Sequence, residues 1–175
     1  MSGDAEGDRL RSDRSGPRAR TVTGRIRRFT IEFLDLGGAR PVRNWIVNDL
    51  SPQKRRFIGF AMSEVLQELG PGVCETEWGK WVHPNIFEFR ARDDDQITLR
   101  VYCHHVGDRL ILLLHAYDKG ELPSKRHETK QIEAAKKRLI VWLEDQQRAE
   151  KAQEMAEADA RAQAGLGPGR APRKR

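Results

Sequence analysis

The sequence predicts an α+β domain, a small antiparallel sheet with two N-terminal helices and a C-terminal helix, in the order β-α-α-β-β-β-α. Three observations lead there. Apolar and polar residues alternate in three successive segments between Ile86 and Asp118, the period of strands with two unlike faces. Two other stretches, 57–69 and 132–143, place apolar residues at helical spacing. The chain has 175 residues, a length that suits one domain with a single main core.

Phe29, Ile31 and Phe33 alternate with Thr30 and Glu32, which predicts a half-buried strand ended by Asp35-Leu36-Gly37-Gly38. Pro41 then opens a short helix with Val42, Trp45 and Ile46 on one side. Ser51-Pro52 predicts the next helix start, serine as N-cap and proline at the first helical position. Phe57, Ile58, Ala61, Met62, Val65 and Leu69 form its apolar face, and Gly70-Pro71 stops it. Residues 72–84 are expected to be a loop that includes Trp78-Gly79-Lys80-Trp81. Strands are expected at Ile86–Arg92, Ile97–His104 and Leu110–Asp118, joined by turns at Asp93-Asp94-Asp95 and Gly107-Asp108. The last helix is expected from about Glu128, burying Ile132, Ala135, Leu139, Trp142 and Leu143.

The organisation divides into a disordered leader (1–24), a folded domain (25–146) and a polar helical extension with a basic tail (147–175). The leader holds five arginines and four acids with almost nothing apolar, a composition that does not offset the entropy of ordering. Thirty-two Lys and Arg against 26 Asp and Glu give a net charge of +6. Within the folded domain the surplus concentrates in residues 119–138, with seven bases and three acids. Such a cluster suits a polyanion, nucleic acid above all. The longest aliphatic run, Leu110–Leu114, has five residues, far short of the ~20 that span a bilayer. With no apolar signal region expected, and Cys74 and Cys103 taken as reduced thiols, a cytoplasmic location is expected.

Strand parity gives the functional signal. If the three strands pair as successive hairpins, Glu88, Arg90, Arg100, Tyr102, His104, His115, Tyr117 and Lys119 share one face. Phe87, Phe89, Leu99, Val101, Cys103, Leu112, Leu114 and Ala116 are expected on the other. The following loop adds Lys125, Arg126 and His127. A polar face on an antiparallel sheet is ordinary, but here Glu88 is nearly the sole acid among cations. Other chemistry is weakly signalled. Cys103, His104, His105 and His115 lack zinc spacing, and adjacent strand residues point opposite ways, so no metal and no cofactor is expected.

The segment from Asn85 to Leu143 resembles the RelE/HigB superfamily of toxins from type II toxin–antitoxin pairs, most nearly its phage-derived, HigB-like branch. The resemblance rests on Ile86-Phe87-Glu88-Phe89-Arg90, Leu99-Arg100-Val101-Tyr102, Leu112 to Lys119, Pro123 and Ile132 to Leu139. Residues 29–69 fit the same architecture. The resemblance implies a RelE-like fold and inhibition of translation by cutting mRNA in the ribosomal A site. It also implies neutralisation by a cognate antitoxin, often a helix-turn-helix protein. Arg100 falls where RelE-like toxins carry a strand arginine on the scissile phosphate, Arg90 near a basic position of the preceding strand. Lys119 matches the first of a frequent Lys-Lys pair, whose second member is Gly120 here.

A metal-independent endoribonuclease of this kind needs a base for the 2′-OH, a donor to the 5′-oxygen and cations on the phosphate. The expected catalytic set is Arg90, Arg100, His115, Tyr117 and Lys119. The RNA-binding set is Tyr102, His104, Lys125, Arg126 and Lys130. The superfamily also contains gyrase inhibitors that cut nothing, so a non-catalytic gyrase poison is one alternative. A nucleic-acid-binding phage regulatory protein is another. The extension beyond residue 146 is expected to meet the antitoxin or a second copy of the chain.

Overall fold

A computed structural model of the chain describes residues 28–93 and 97–165. The leader, Asp94 and Asp95 of the acidic turn, and residues 166–175 of the tail lie outside the described residues.

The first strand, β1 (Thr30–Phe33), leads to α1 (Pro41–Asn44), which continues as a π-helical turn over Trp45–Asp49. Ser51 caps α2 (Pro52–Ala61), its Oγ accepting from the Lys54 amide at 3.3 Å. The rod runs on through a π-helical turn (Met62–Leu66) into α3 (Gln67–Leu69). Gly70 then breaks it at φ +54°, and a 3-10 turn (Gly70–Glu75) leads to β2 (Gly79–His83). Next come β3 (Ile86–Arg92), β4 (Thr98–Val106), β5 (Leu110–Asp118) and α4 (Lys125–Gln163). Ser124 caps α4 through the His127 amide.

Gly70 is the point where the helical hairpin meets the sheet. A Cβ there would sit 2.5 Å from the Phe29 ring, in backbone geometry that L side chains avoid. Gly70→Ala should therefore cost about 1–2 kcal/mol from the backbone alone. Displacing Phe29 adds to that, and the urea midpoint of the purified protein measures the sum.

The α+β class holds, with one strand more than expected. Among the described residues the sheet has five strands in the order β1-β5-β4-β3-β2. β2 is the added edge strand, and it contains the Gly79-Lys80-Trp81 segment expected to be loop. β1 lies parallel to β5, while β2 to β5 form an antiparallel meander. α4 starts at Lys125, so Lys125, Arg126 and His127 form its first turn instead of a loop.

The sheet is covered on both faces. One core packs Val42, Ile46, Ile58, Ala61 and Leu66 of the helical hairpin against Phe87, Phe89, Leu99, Val101 and Cys103. The other packs Ala135 and Leu139 of α4 against Ile86, Tyr102, Leu112, Leu114 and Tyr117. The expected placement of Leu112 and Leu114 beside Ala116 is therefore corrected. Tyr102 pairs with His115, but its neighbour Cys103 pairs with Leu113. The two-residue step leaves Leu114 and His115 together opposite Tyr102, a bulge that reverses strand parity. Ile111 and Leu113 consequently join the first core, and Leu112 and Leu114 the second. Leu143, expected to be buried, is exposed.

Candidate nucleic-acid interface

The antiparallel register carries the polar residues across the face that α4 crosses. Lys80 pairs with Glu88, Glu88 with Tyr102, and Tyr102 with His115. One step along, Arg90 pairs with Arg100 and Arg100 with Tyr117. α4 covers the His115 end of these rows and leaves the Arg90 end open. The result is a groove of about 400 Å³ lined by Lys80, Arg90, Arg100, Lys119 and Lys125. Glu128, Thr129 and Ile132 of α4 close its other side.

Beneath the groove lies Glu88, which is 1% exposed. Its Oε1 accepts from Arg90 Nε at 2.7 Å and from Arg100 Nη1 at 2.6 Å. Two guanidinium groups directly opposite on neighbouring strands repel, and the shared carboxylate holds them together. Glu88 Oε2 and Arg100 Nε are buried without a hydrogen-bond partner. Five cations face this space against the carboxylates of Glu88 and Glu128, a surplus of three positive charges in a concave, half-shielded site. Such a site concentrates field and attracts anions.

The rim is pre-organised by a second carboxylate. Glu128, in the first turn of α4, accepts from Lys119 Nζ at 2.9 Å and from Lys80 Nζ at 3.0 Å. It thus ties the edge strand β2 and the end of β5 to one helix terminus, where a carboxylate also suits the helix dipole. The lysines, Lys119 first, hold the Glu128 carboxyl at about 2 against an ordinary 4.5. Because the folded value is the lower one, this stabilisation is complete above pH 4.5 and fades as pH falls toward 2. Glu128→Gln should accordingly lose about 1–2 kcal/mol at neutral pH, after allowance for solvent at the lysines. Its melting temperature should converge with the parent's in strong acid, and parallel melts across that range test the convergence.

Asp118, which precedes Lys119, has a structural task. It is 5% exposed, pairs with Lys54 of α2, and accepts from the Gly120 amide at 2.8 Å. Lys119 is fixed by that turn and by its own amide, which donates to Thr98 O at 2.8 Å.

The remaining expected site residues are distributed more widely. His115 shares the sheet face but does not line the groove. Its Nδ1 accepts from Arg138 Nη1 at 2.6 Å and its Nε2 meets Gln131 Oε1, which implies the neutral Nε2–H tautomer. Burial lowers the His115 pKa, the Gln131 bond opposes that, and the Arg138 charge adds to it. Tyr102 is fully buried, stacked between His115 and Tyr117 with ring centroids 6.3 and 6.1 Å away. Burial raises the pKa of both phenols. His104 lies at the far end of the sheet, where Nδ1 meets Asn85 O at 2.7 Å and the ring packs edge-on against Trp142. Arg126 and Lys130 are exposed on α4, outside the lining of the groove.

Lys80, Glu128 and Thr129 are the lining residues that sequence reasoning did not assign. Lys80 was hidden in the segment expected to be loop, and Glu128 by the expectation that the helix only begins there. A second hollow, of about 380 Å³, opens on the other side of Arg90 and is lined by Trp78, Arg92, Glu77 and Asp93. No helix among the described residues is long and apolar enough to cross a membrane.

Residues 45–140, more than half of the chain, match the protein family described as Phage derived protein Gp49-like (DUF891). No curated protein and no solved structure matches the chain. The matched segment runs from the π-helical turn after α1 into α4 and contains every residue that lines the groove. The chain belongs to the Gp49-like family of phage-derived proteins, a family in the RelE/HigB-like toxin group.

Proposed function

We propose that this chain is the toxin of a toxin–antitoxin pair, on the HigB-like branch, and that it arrests translation by cutting mRNA on the ribosome. The observation that carries this reading is the convergence of Arg90, Arg100 and Lys119, with Lys80 and Lys125, on one groove. Arg90 and Arg100 bind the scissile phosphate, where guanidinium groups make short charge-assisted bonds. Of the three proton-handling candidates, Lys119 lines the groove, whereas His115 has both ring nitrogens engaged and Tyr117 is buried. Lys119 is therefore assigned the proton donated to the departing 5′-oxygen as the P–O5′ bond breaks, while the attacking 2′-OH gives its proton to solvent water. Arg126 holds RNA backbone beyond the groove through contacts that salt weakens. No metal or cofactor enters this scheme. The partners are a helix-turn-helix antitoxin, the ribosome and mRNA, in the cytoplasm.

One observation favours a second reading. The candidate proton-transfer groups are buried or paired, which suits a surface that binds without cutting, as in gyrase inhibition or in a phage regulatory protein. Inducing the chain alone in a bacterial host and mapping mRNA 5′ ends separates the three. Arrest with new 5′ ends, reduced at least about tenfold by Lys119→Ala, is expected. Arrest with intact mRNA and lost supercoiling establishes the gyrase reading. Normal growth leaves the regulatory one.

A further inference from the structure

The second half of α4 has no cover of its own. The helix has 39 residues, a length of about 58 Å at 1.5 Å per residue. Ala135 and Leu139 anchor its first half to the sheet, but residues 143–165 are exposed throughout. A helix that is polar on all sides holds through internal pairs or through a partner. At the centre of α4, which falls at Glu144, the pattern reverses, and apolar side chains face water. Ile140 is 56% exposed, Val141 43% and Leu143 38%.

Charge divides at the same point. Residues 125–138 hold six bases and two acids, and residues 144–163 six acids and three bases. Two copies laid antiparallel would set each basic half against an acidic half, with the apolar trio of each copy in the middle. The exposed stripe through Lys130, Glu133, Lys137, Ile140 and Glu144 continues to Lys151 and Glu154. A two-fold axis near Trp142 brings Lys130 opposite Glu154 of the second copy, and Glu133 opposite its Lys151. Val141 and Leu143 flank this stripe on opposite sides, where each faces its own symmetry mate across the axis. A parallel pairing would instead oppose like halves.

We propose that α4 is a homodimerisation helix, pairing antiparallel with α4 of a second copy of this chain through Ile140, Val141, Leu143 and the complementary charged halves. An isologous contact of this kind is closed by its own symmetry, and flanking charges fix its direction as they do in coiled coils. The inference is independent of which anion the groove binds.

Light scattering and sedimentation of the full chain, without antitoxin, test it. A concentration-dependent dimer is expected, weakening as salt screens the charged halves. Ile140→Glu with Leu143→Glu should weaken it by about thirtyfold or more, the loss of one strong central contact. Both positions are exposed, so the circular-dichroism signal of the domain should persist. Lys130→Glu should weaken the dimer, and adding Glu154→Lys should restore it. Antiparallel order predicts that restoration; a dimer indifferent to both changes overturns the proposal. A chain that stays monomeric at every concentration and salt, including one that pairs through this helix with an antitoxin alone, also overturns it.

Discussion

Replacing Arg100 with alanine should lower the unfolding free energy by about 3 kcal/mol, the lower end of the loss seen when one member of a buried ion pair is removed. Glu88 has almost no contact with solvent, and its Oε1 is shared by Arg100 at 2.6 Å and Arg90 at 2.7 Å. Without Arg100, the carboxylate keeps one partner, which sets the lower end of that range. Replacing both Glu88 and Arg100 with leucine should recover much of the loss, because it removes the stranded charge with its partner. Urea denaturation of the parent, Arg100→Leu, Glu88→Leu and the double variant closes the cycle and gives the coupling. A loss below about 1 kcal/mol would show that Glu88 is not buried as described. The consequence for function is practical. Loss of growth arrest in Arg100→Ala mixes unfolding with lost phosphate binding, whereas Arg90, with 28% of its side chain exposed, reports on binding more cleanly.

Much of this arrangement was legible in the sequence because it depends on period and punctuation. Alternation through Phe87-Glu88-Phe89-Arg90 and Leu99-Arg100-Val101-Tyr102 fixed which side chains share a face, and the register bears that out. Ser51-Pro52 and Gly70 marked helix ends by chemistry that needs no tertiary context. What was hidden depended on distant contacts. β2 is five residues long, starts on a glycine and lies at an edge, so its strand character comes mainly from pairing with β3. The run Ile111-Leu112-Leu113-Leu114 is apolar on both faces because the sheet is covered on both. A uniform run carries no parity, and the bulge at Leu114-His115 left no local mark. The expected polar surface became partly a second core for the same reason: the apolar stripe of α4 needed a face to cover. Tyr102 and Tyr117 supplied it with flat, mutually stacked rings.

Glu88→Gln should separate binding from chemistry at the groove. A glutamine keeps the shape and one acceptor but removes the charge that Arg90 and Arg100 share. In the parent, a phosphate must compete with that carboxylate for both guanidinium groups. In the variant it does not, and single-stranded RNA should bind about tenfold more tightly at low salt, the gain from about one further unit of uncompensated charge. The logarithmic salt dependence should steepen by about 0.7, the increment for one more neutralised phosphate on a single strand. The free variant should also be less stable, since opposed arginines now face each other without a counter-charge, and RNA should return more stability to it than to the parent. Thermal melts with and without RNA, beside binding titrations at several salt concentrations, measure all three effects. Unchanged affinity and slope would place the RNA backbone somewhere other than this groove. Tighter binding with slower cutting would make Glu88 a participant in the reaction, and tighter binding with undiminished cutting would make it a clamp that holds two repelling arginines ready for a phosphate.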